Sequence, residues 1–475
     1  MNIYRVIEEE SKGHRSKTAV RDGDRLISYE ELFDRVRQVA ALLGGEGVAR
    51  LHRVGLLCDD SIDYVVISLA ILSLEAAVVP VSPDLAMAER QEVIARIDVD
   101  FFLADGALQA ESAARPVLPG LSASRNFILL QRRAAPPPEG YGEVNPAFIR
   151  FSSGTTGASK GVVLSHEAII ARTAAADKGL QITADDTVLW VLSMSYHFVV
   201  TILLFLRRGA TIVLCGGNFP HNLIDEIKQH QATFIYASPF HYSLLAGSGD
   251  VGAADLQGIR MAVSTAMKLP IQTAADFAGK FGLELTEAYG IIEVGLPFIR
   301  LVAGSTKTGS VGRPLPDYRI RLVNPDDDGI GEIQISGPGL LDAYYTPWQE
   351  KDAILVDGWF ATGDLGRIDA DGFLFIVGRS KDVINFVGMK IFPLEVEAVI
   401  DSFPGVAESQ VYASPHERFG ELPAARIVPR EGVNGESLLP GLRRFCYQQL
   451  ASYKVPKEFE IVTSLVKTAS GKLKR

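Results

Sequence analysis

Residues 152–161 read SSGTTGASKG, and the chemistry of this strip suits one kind of ligand. The hydroxyls of Ser152, Ser153, Thr155 and Thr156, the glycines Gly154 and Gly157, and the ammonium of Lys160 together make a grip for a polyanion, with glycine letting the backbone approach closely. The spacing excludes a Walker loop, which needs Gly directly before its Lys and Ser or Thr directly after. Here Ser159 and Gly161 hold those places. Apolar runs at 147–151 and 161–164 predict short strands on both sides, so the strip joins two strands instead of opening a helix. The competing reading is a Ser/Gly-rich hairpin with no ligand, which Gly-Thr-Thr alone would favour.

Working outward, 475 residues and 51.5 kDa are enough for two or more domains with cores of their own. The 47% hydrophobic and 22% charged residues are those of an ordinary globular protein. A formal net charge of -10 argues against nucleic acid as a partner, because such a footprint is basic. Cys58, Cys215 and Cys446 lie far apart without metal-type spacing, which suits a reducing compartment, and the cytoplasm is the expected location. The N-terminus is too polar for a secretory signal. The longest apolar run, 64–81, is broken by Glu75 and Pro80 and predicts a buried helix and strand, so no transmembrane span is expected. Helical stretches such as 29–43 and 223–229 alternate with β-branched runs such as 211–214 and 261–263, which argues for α/β layers. A proline-rich connection at 132–145 precedes the strip, and past Gly378 the pattern changes to a small α+β unit.

The strip resembles the phosphate-binding signature of the acyl-adenylate-forming superfamily: acyl-CoA synthetases, the adenylation domains of peptide synthetases, and luciferases. Family members usually end it in Pro-Lys-Gly, so Ser159 is a departure. Further motifs follow in the family's order. EAYGIIE at 287–293 looks like its Tyr-Gly-x-Thr-Glu motif. Tyr289 offers a flat face for adenine, with Glu287, Ala288 and Gly290 around it, and Glu293 is the hard oxygen ligand that magnesium prefers. Ile292 stands where the family has the Thr that contacts the α-phosphate; a lost hydrogen bond to a charged group costs ~1.5 to 3 kcal/mol. Ser264, Thr265 and Ala266 occupy the place of the adenine wall. WFATGD at 359–364 is similar to the family's W-x-x-T-G-D, with Asp364, at an expected strand end, able to accept from both ribose hydroxyls. GRSKDVINFVGMKIFP at 378–393 resembles the hinge and the strand loop after it, which implies a ribose or phosphate contact for Arg379, a hinge at Lys381, and a thiol path past Gly388. KTASGKLKR at 467–475 resembles the closing motif and makes Lys472 the catalytic lysine, a fixed cation for the α-phosphate and the attacking carboxylate.

On the acid side, SMSYHFVV at 193–200 carries His197 where amino-acid-activating relatives have Asp, which disfavours an amino acid substrate. Val200, where long-chain relatives often place glycine, hints at a short, medium-length or aromatic acid, and Tyr236, Phe240 and His241 are suggested as lining. The resemblance implies an α/β fold with a large multi-subdomain N-terminal domain, 1–380, that binds ATP and acid, and a small mobile α+β cap, 381–475. The reaction it implies is activation of a carboxylic acid by ATP with Mg2+, then transfer to CoA or to the phosphopantetheine of an acyl carrier protein. A catalytically weak nucleotide- or acyl-binding protein of the same fold is the alternative of another class, and a homodimer is left open. Lys472→Ala is expected to abolish acid-dependent ATP–pyrophosphate exchange while sparing thioester formation from supplied acyl-adenylate; loss of neither activity would refute the assignment.

Overall fold

The structure, a computed structural model, describes every residue except 107, 109–115, 120–124, 133, 152–159, 217–220, 301–306, 308, 387–388, 417–419, 468–472 and 475. Two large sheets organise the N-terminal part. In one, the parallel strands Arg53–Leu57 and Ala77–Val81 are buried at every residue, as strands covered on both faces must be. The helix Ile62–Ser73 between them is apolar all round and almost wholly buried, capped by Ser61 on the Tyr64 amide. This is the helix and strand that the 64–81 run predicts. The same sheet continues through Pro146–Phe151, Gly161–Ser165 and Ala343–Tyr344. The other runs through Leu285–Ile291, Met261–Ser264, Phe234–Ala237, Thr187–Trp190 and Thr211–Leu214, parallel at each step.

The residues flanking the strip behave as their composition predicts. Pro146–Phe151 and Gly161–Ser165 pair antiparallel, with Phe151 opposite Gly161, so the strip connects a hairpin. The second strand leads directly into the helix His166–Leu180, whose first turn is capped by Ser165 on the Ala168 amide. The expected helix at 29–43 is Tyr29–Gly45, opened by a reciprocal cap between Ser28 and Glu31.

Past these sheets, Arg319–Val323, Gly331–Ser336, Phe360–Ile368 and Leu374–Arg379 form an antiparallel sheet. The expectation that Asp364 ends a strand is corrected here. Asp364 lies inside Phe360–Ile368, opposite Arg379, because Gly363 takes a φ of 72° within the strand and the ladder tolerates a shift of register beside it. Strand Leu374–Arg379 also keeps Gly378 and Arg379 with the large domain. The small C-terminal domain has its own core around Ile384, Val396, Ile400, Val411, Ile427 and Leu442. The helices Pro393–Asp401 and Gly435–Gln449 enclose that core with the long antiparallel pair Val406–His416 and Gly420–Pro429. Among the described residues, no helix is long and apolar enough to cross a membrane.

One glycine of the EAYGIIE motif is fixed by packing. A Cβ on Gly290 would lie 2.2 Å from the carbonyl oxygen of Gly295 on the adjoining strand. Gly279, in the helix Ile271–Phe281, has open space instead. Gly290→Ala is therefore expected to lower stability by about 1 to 3 kcal/mol, as forced overpacking does, whereas Gly279→Ala is neutral or stabilising by about 0.5 to 1 kcal/mol. Thermal melts of the two variants check this contrast.

Candidate functional site

Three parts of the sequence-derived site come together through side chains. Tyr289 donates its hydroxyl to Asp364 Oδ2 at 2.5 Å, and Arg379 Nε lies 2.9 Å from Asp364 Oδ1. Asp364 is buried, and the two donors come from residues 75 positions before it and from the neighbouring strand. Burial, the first cause, and the Asp364 carboxylate together hold the Tyr289 phenol well above its ordinary value. The hydroxyl thus stays a donor. Thr265 ties the wall residues to the same strand by donating to the Ala288 carbonyl at 3.3 Å. Ala266, with a φ of 73°, turns the chain at the end of Met261–Ser264. Ser264 is fully buried, and Glu287 is turned inward to accept from the Leu269 amide at 3.3 Å.

A second group surrounds Glu293, in the turn between Leu285–Ile291 and Gly295–Ile299. Lys160 Nζ sits 4.5 Å above the ring centroid of Tyr344, and the Glu293 charge contributes to raising the Tyr344 phenol after burial. Arg172, fully buried on the helix His166–Leu180, donates to the Ile292 carbonyl at 2.9 Å and to the Gly339 carbonyl at 3.0 Å. Burial pushes its guanidinium down to about 10. Arg172 thereby fixes the backbone immediately before Glu293. Arg150 also feels the Glu293 charge.

The segment expected to border the acid opens on a cavity of about 870 Å³. His197, Trp190, Tyr196, Phe240 and His241 line it, and so do Ala266 and Lys467. His197 ends the α-helical turn Met194–His197, which continues into the π-helical Phe198–Ile202, and its ring is 6.1 Å from that of Trp190. One lining expectation is corrected: Tyr236 is buried behind the wall, stacked on Trp190 at 5.3 Å. Val200, the pointer to acid size, packs against the main core.

Asp60 was not legible from sequence. It lines the cavity near Asp59 and Asp84, and its Oδ1 accepts from the Met194 amide at 2.9 Å. Burial, with those two carboxylates, pushes it up to about 7. His241, bonded to Ser238 Oγ at 2.7 Å, is pushed down to about 4 by burial and is neutral at neutral pH. Lys381 lies in the short turn Ser380–Asp382, with its Nζ 3.9 Å from Asp382. Ser152, Ser153, Gly154, Thr155, Thr156, Gly157, Gly388 and Lys472 lie outside the described residues.

The profile of the AMP-binding enzyme family matches residues 7–345, and that of the AMP-binding enzyme C-terminal domain matches 395–472. The chain belongs to the AMP-binding enzyme family. It is an AMP-forming acid–thiol ligase by that membership. It is 28% identical to the indoleacetate–CoA ligase of Aromatoleum aromaticum, an alignment covering 100% of this chain and 97% of that one. It is 29% identical to a feruloyl-CoA synthase of an Amycolatopsis species, over 96% of this chain and 94% of the relative. The crystal structure of ATP-bound MatB from Rhodopseudomonas palustris superposes with a TM-score of 0.86 at 26% identity, covering 100% and 97% of the two chains.

For this AMP-binding enzyme, Arg150, Arg172, Tyr344 and Asp60 are groups in or beside the candidate site that motif reading missed. Only the two arginines leave a signal in the sequence, a cation among apolar neighbours, as in AFIRF at 147–151. Asp60 also makes stability depend on pH. A carboxyl that ionises near 7 when folded and near 4 when unfolded binds more protons in the folded state across that window, so its contribution falls as pH rises through it. Asp60→Asn keeps the acceptor for Met194 and removes the titration. The melting temperature of wild type minus that of the variant is expected to be larger at about pH 5 than at about pH 8, measured by scanning fluorimetry; an equal difference at both would contradict the raised value.

Proposed function

We propose that this ligase converts an aromatic or short-to-medium carboxylic acid into its acyl-adenylate and then into its CoA thioester. The observation that carries the reading is one cavity lined both by Ala266, from the adenine-wall position, and by His197 and Trp190, on the acid side. An acid held there has its carboxylate beside the nucleotide. The rings of Trp190, Tyr196 and Phe240 favour a planar or arylalkyl acid, in keeping with the indoleacetate and feruloyl names of the two relatives.

In the first half-reaction a carboxylate oxygen attacks the α-phosphorus of ATP, the bond from that phosphorus to the bridging oxygen breaks, and pyrophosphate leaves. Asp364, oriented by Tyr289 and Arg379, accepts from the ribose hydroxyls. Thr265, Ala266 and Tyr289 enclose the base. Lys160 and the hydroxyls of the 152–157 strip take the phosphates, with Lys472 fixing the α-phosphate and carboxylate. Lys467, five residues before Lys472, lines the cavity, which supports this role. The donor chemistry at Glu293 fits magnesium, which takes one or two carboxylates and fills its other positions with water and phosphate oxygens. Bound there, the ion would neutralise charge developing on the phosphates. In the second half-reaction the small domain turns about Lys381, at the 380/381 boundary, and brings Gly388 to the thiol path. The thiol sulfur attacks the acyl carbon, AMP leaves with the electron pair of the mixed-anhydride bond, and the thiol proton is released.

Pyrophosphate exchange across short, medium, long-chain and aromatic acids, followed by product analysis with CoA and with holo carrier proteins, tests the reading. The expected result is fastest exchange with an aromatic or arylalkyl acid and a CoA thioester as product. A preference for long chains would overturn the acid class, and product only with a carrier protein would overturn the acceptor. ATP binding without exchange with any acid would instead favour the weak binding protein that Ile292 suggests.

A further inference from the structure

Arg150 is the fifth residue of the strand Pro146–Phe151, two positions before the strip, in a run that is otherwise apolar. Its Nε is buried and has no hydrogen-bond partner among the described residues, and burial holds the guanidinium below its ordinary value. An aliphatic side chain would fill a structural position there at less desolvation cost. The charge is directed at particular groups. Arg150 donates through Nη1 to the carbonyl oxygen of Tyr196 and stands 5.5 Å from the centroid of the Tyr196 ring, while Glu293, Tyr196 and Tyr64 offset part of the burial penalty.

The Tyr196 carbonyl belongs to the turn Met194–His197, which opens a continuous helical stretch through the π-helical Phe198–Ile202 and on into Leu203–Arg207. The change from α to π winding falls directly after His197. This first turn is also held from elsewhere in the chain. Asp60 accepts from the Met194 amide, and Arg150 donates to the Tyr196 carbonyl just before the winding changes. The residue that ends this turn is His197, which lines the cavity.

We propose that Arg150 is a positioning residue that ties the strand entering the phosphate strip to the helix that presents His197, and so sets the His197 ring for the acid's carboxylate. The proposal deepens the ligase reading, on which its kinetic test rests; its spectroscopic test does not need turnover. Arg150→Met removes the charge and keeps the apolar stem. Arg150→Lys keeps a cation, but a single ammonium cannot hold the carbonyl and also lie flat over the Tyr196 ring.

The experiment compares the two variants with wild type as full chains, confirmed folded by thermal melt. The ring Cε1–H resonance of His197, identified by its loss in His197→Asn, is recorded alongside KM for the acid and KM for ATP. Loss of a hydrogen bond from a charged donor predicts a rise in acid KM of about tenfold or more in Arg150→Met, with ATP KM within about threefold of wild type and the His197 resonance shifted. Arg150→Lys should show a smaller rise in the same direction, again confined to the acid. A parallel rise in both KM values, or an unmoved resonance with acid KM within about twofold of wild type, overturns the proposal. If Arg150→Met does not fold, Arg150→Lys decides by the same comparison: an acid-specific rise supports it, and a parallel or absent one overturns it. Absence of exchange in wild type would refute the ligase reading, and the resonance would then decide alone.

Discussion

Arg172 is a guanidinium out of reach of water, held at the edge of the main core by the carbonyls of Gly339 and Ile292. Those carbonyls come from segments 167 and 120 residues further along the chain. A buried cation without partners costs several kcal/mol, so the helix His166–Leu180 and the turn before Glu293 are constrained to meet where Arg172 can be satisfied. The rest of the phosphate end is arranged around that meeting. Lys160, over the ring of Tyr344, adds a second cation near the turn that carries Glu293. A polyanion needs such an arrangement before it arrives, because fixed donors then require no reorganisation when charge develops.

The two large sheets make this affordable in energy by being apolar almost throughout. The strands Arg53–Leu57 and Ala77–Val81 place side chains into covered faces at every position, and the exception, Arg53, is paired with Asp100 at 2.9 Å. Polar function is left to strand ends and to the loops beyond them, where backbone groups are already exposed. Ser264, Thr265 and Ala266 are at one such end, and Asp59 and Asp60 follow another. Asp364 departs from this rule. It works from inside a strand because Gly363 breaks the regular backbone there and lets the carboxylate reach both Tyr289 and Arg379.

The acid side depends on less regular structure. His197 stands where the helical stretch 194–207 changes from α to π winding, and Asp60 and Arg150 hold its first turn from other parts of the chain. Such a device is easily retuned by changes at these two residues without disturbing the sheets. Tyr236 misleads a reader of the sequence for another reason: it is an aromatic residue close to a strand end near the cavity, yet it is stacked behind Trp190.

The strip at 152–161, the EAYGIIE and WFATGD runs and the closing KTASGKLKR are local patterns, and their residue types and order identified the family and the strand–strand connection without any knowledge of distant contacts. Helix and strand periodicity did the same for Tyr29–Gly45 and for the apolar 64–81 segment, since burial of one face or of all faces is written in the spacing of apolar residues. The partners were decided by tertiary structure alone. Tyr289 meets Asp364 across 75 residues, Met194 meets Asp60 across 134, and Arg172 meets Gly339 across 167. A charge among apolar neighbours shows in the sequence only as an anomaly; which group satisfies it, and what that contact holds in place, is fixed when the sheets bring remote segments within hydrogen-bond reach.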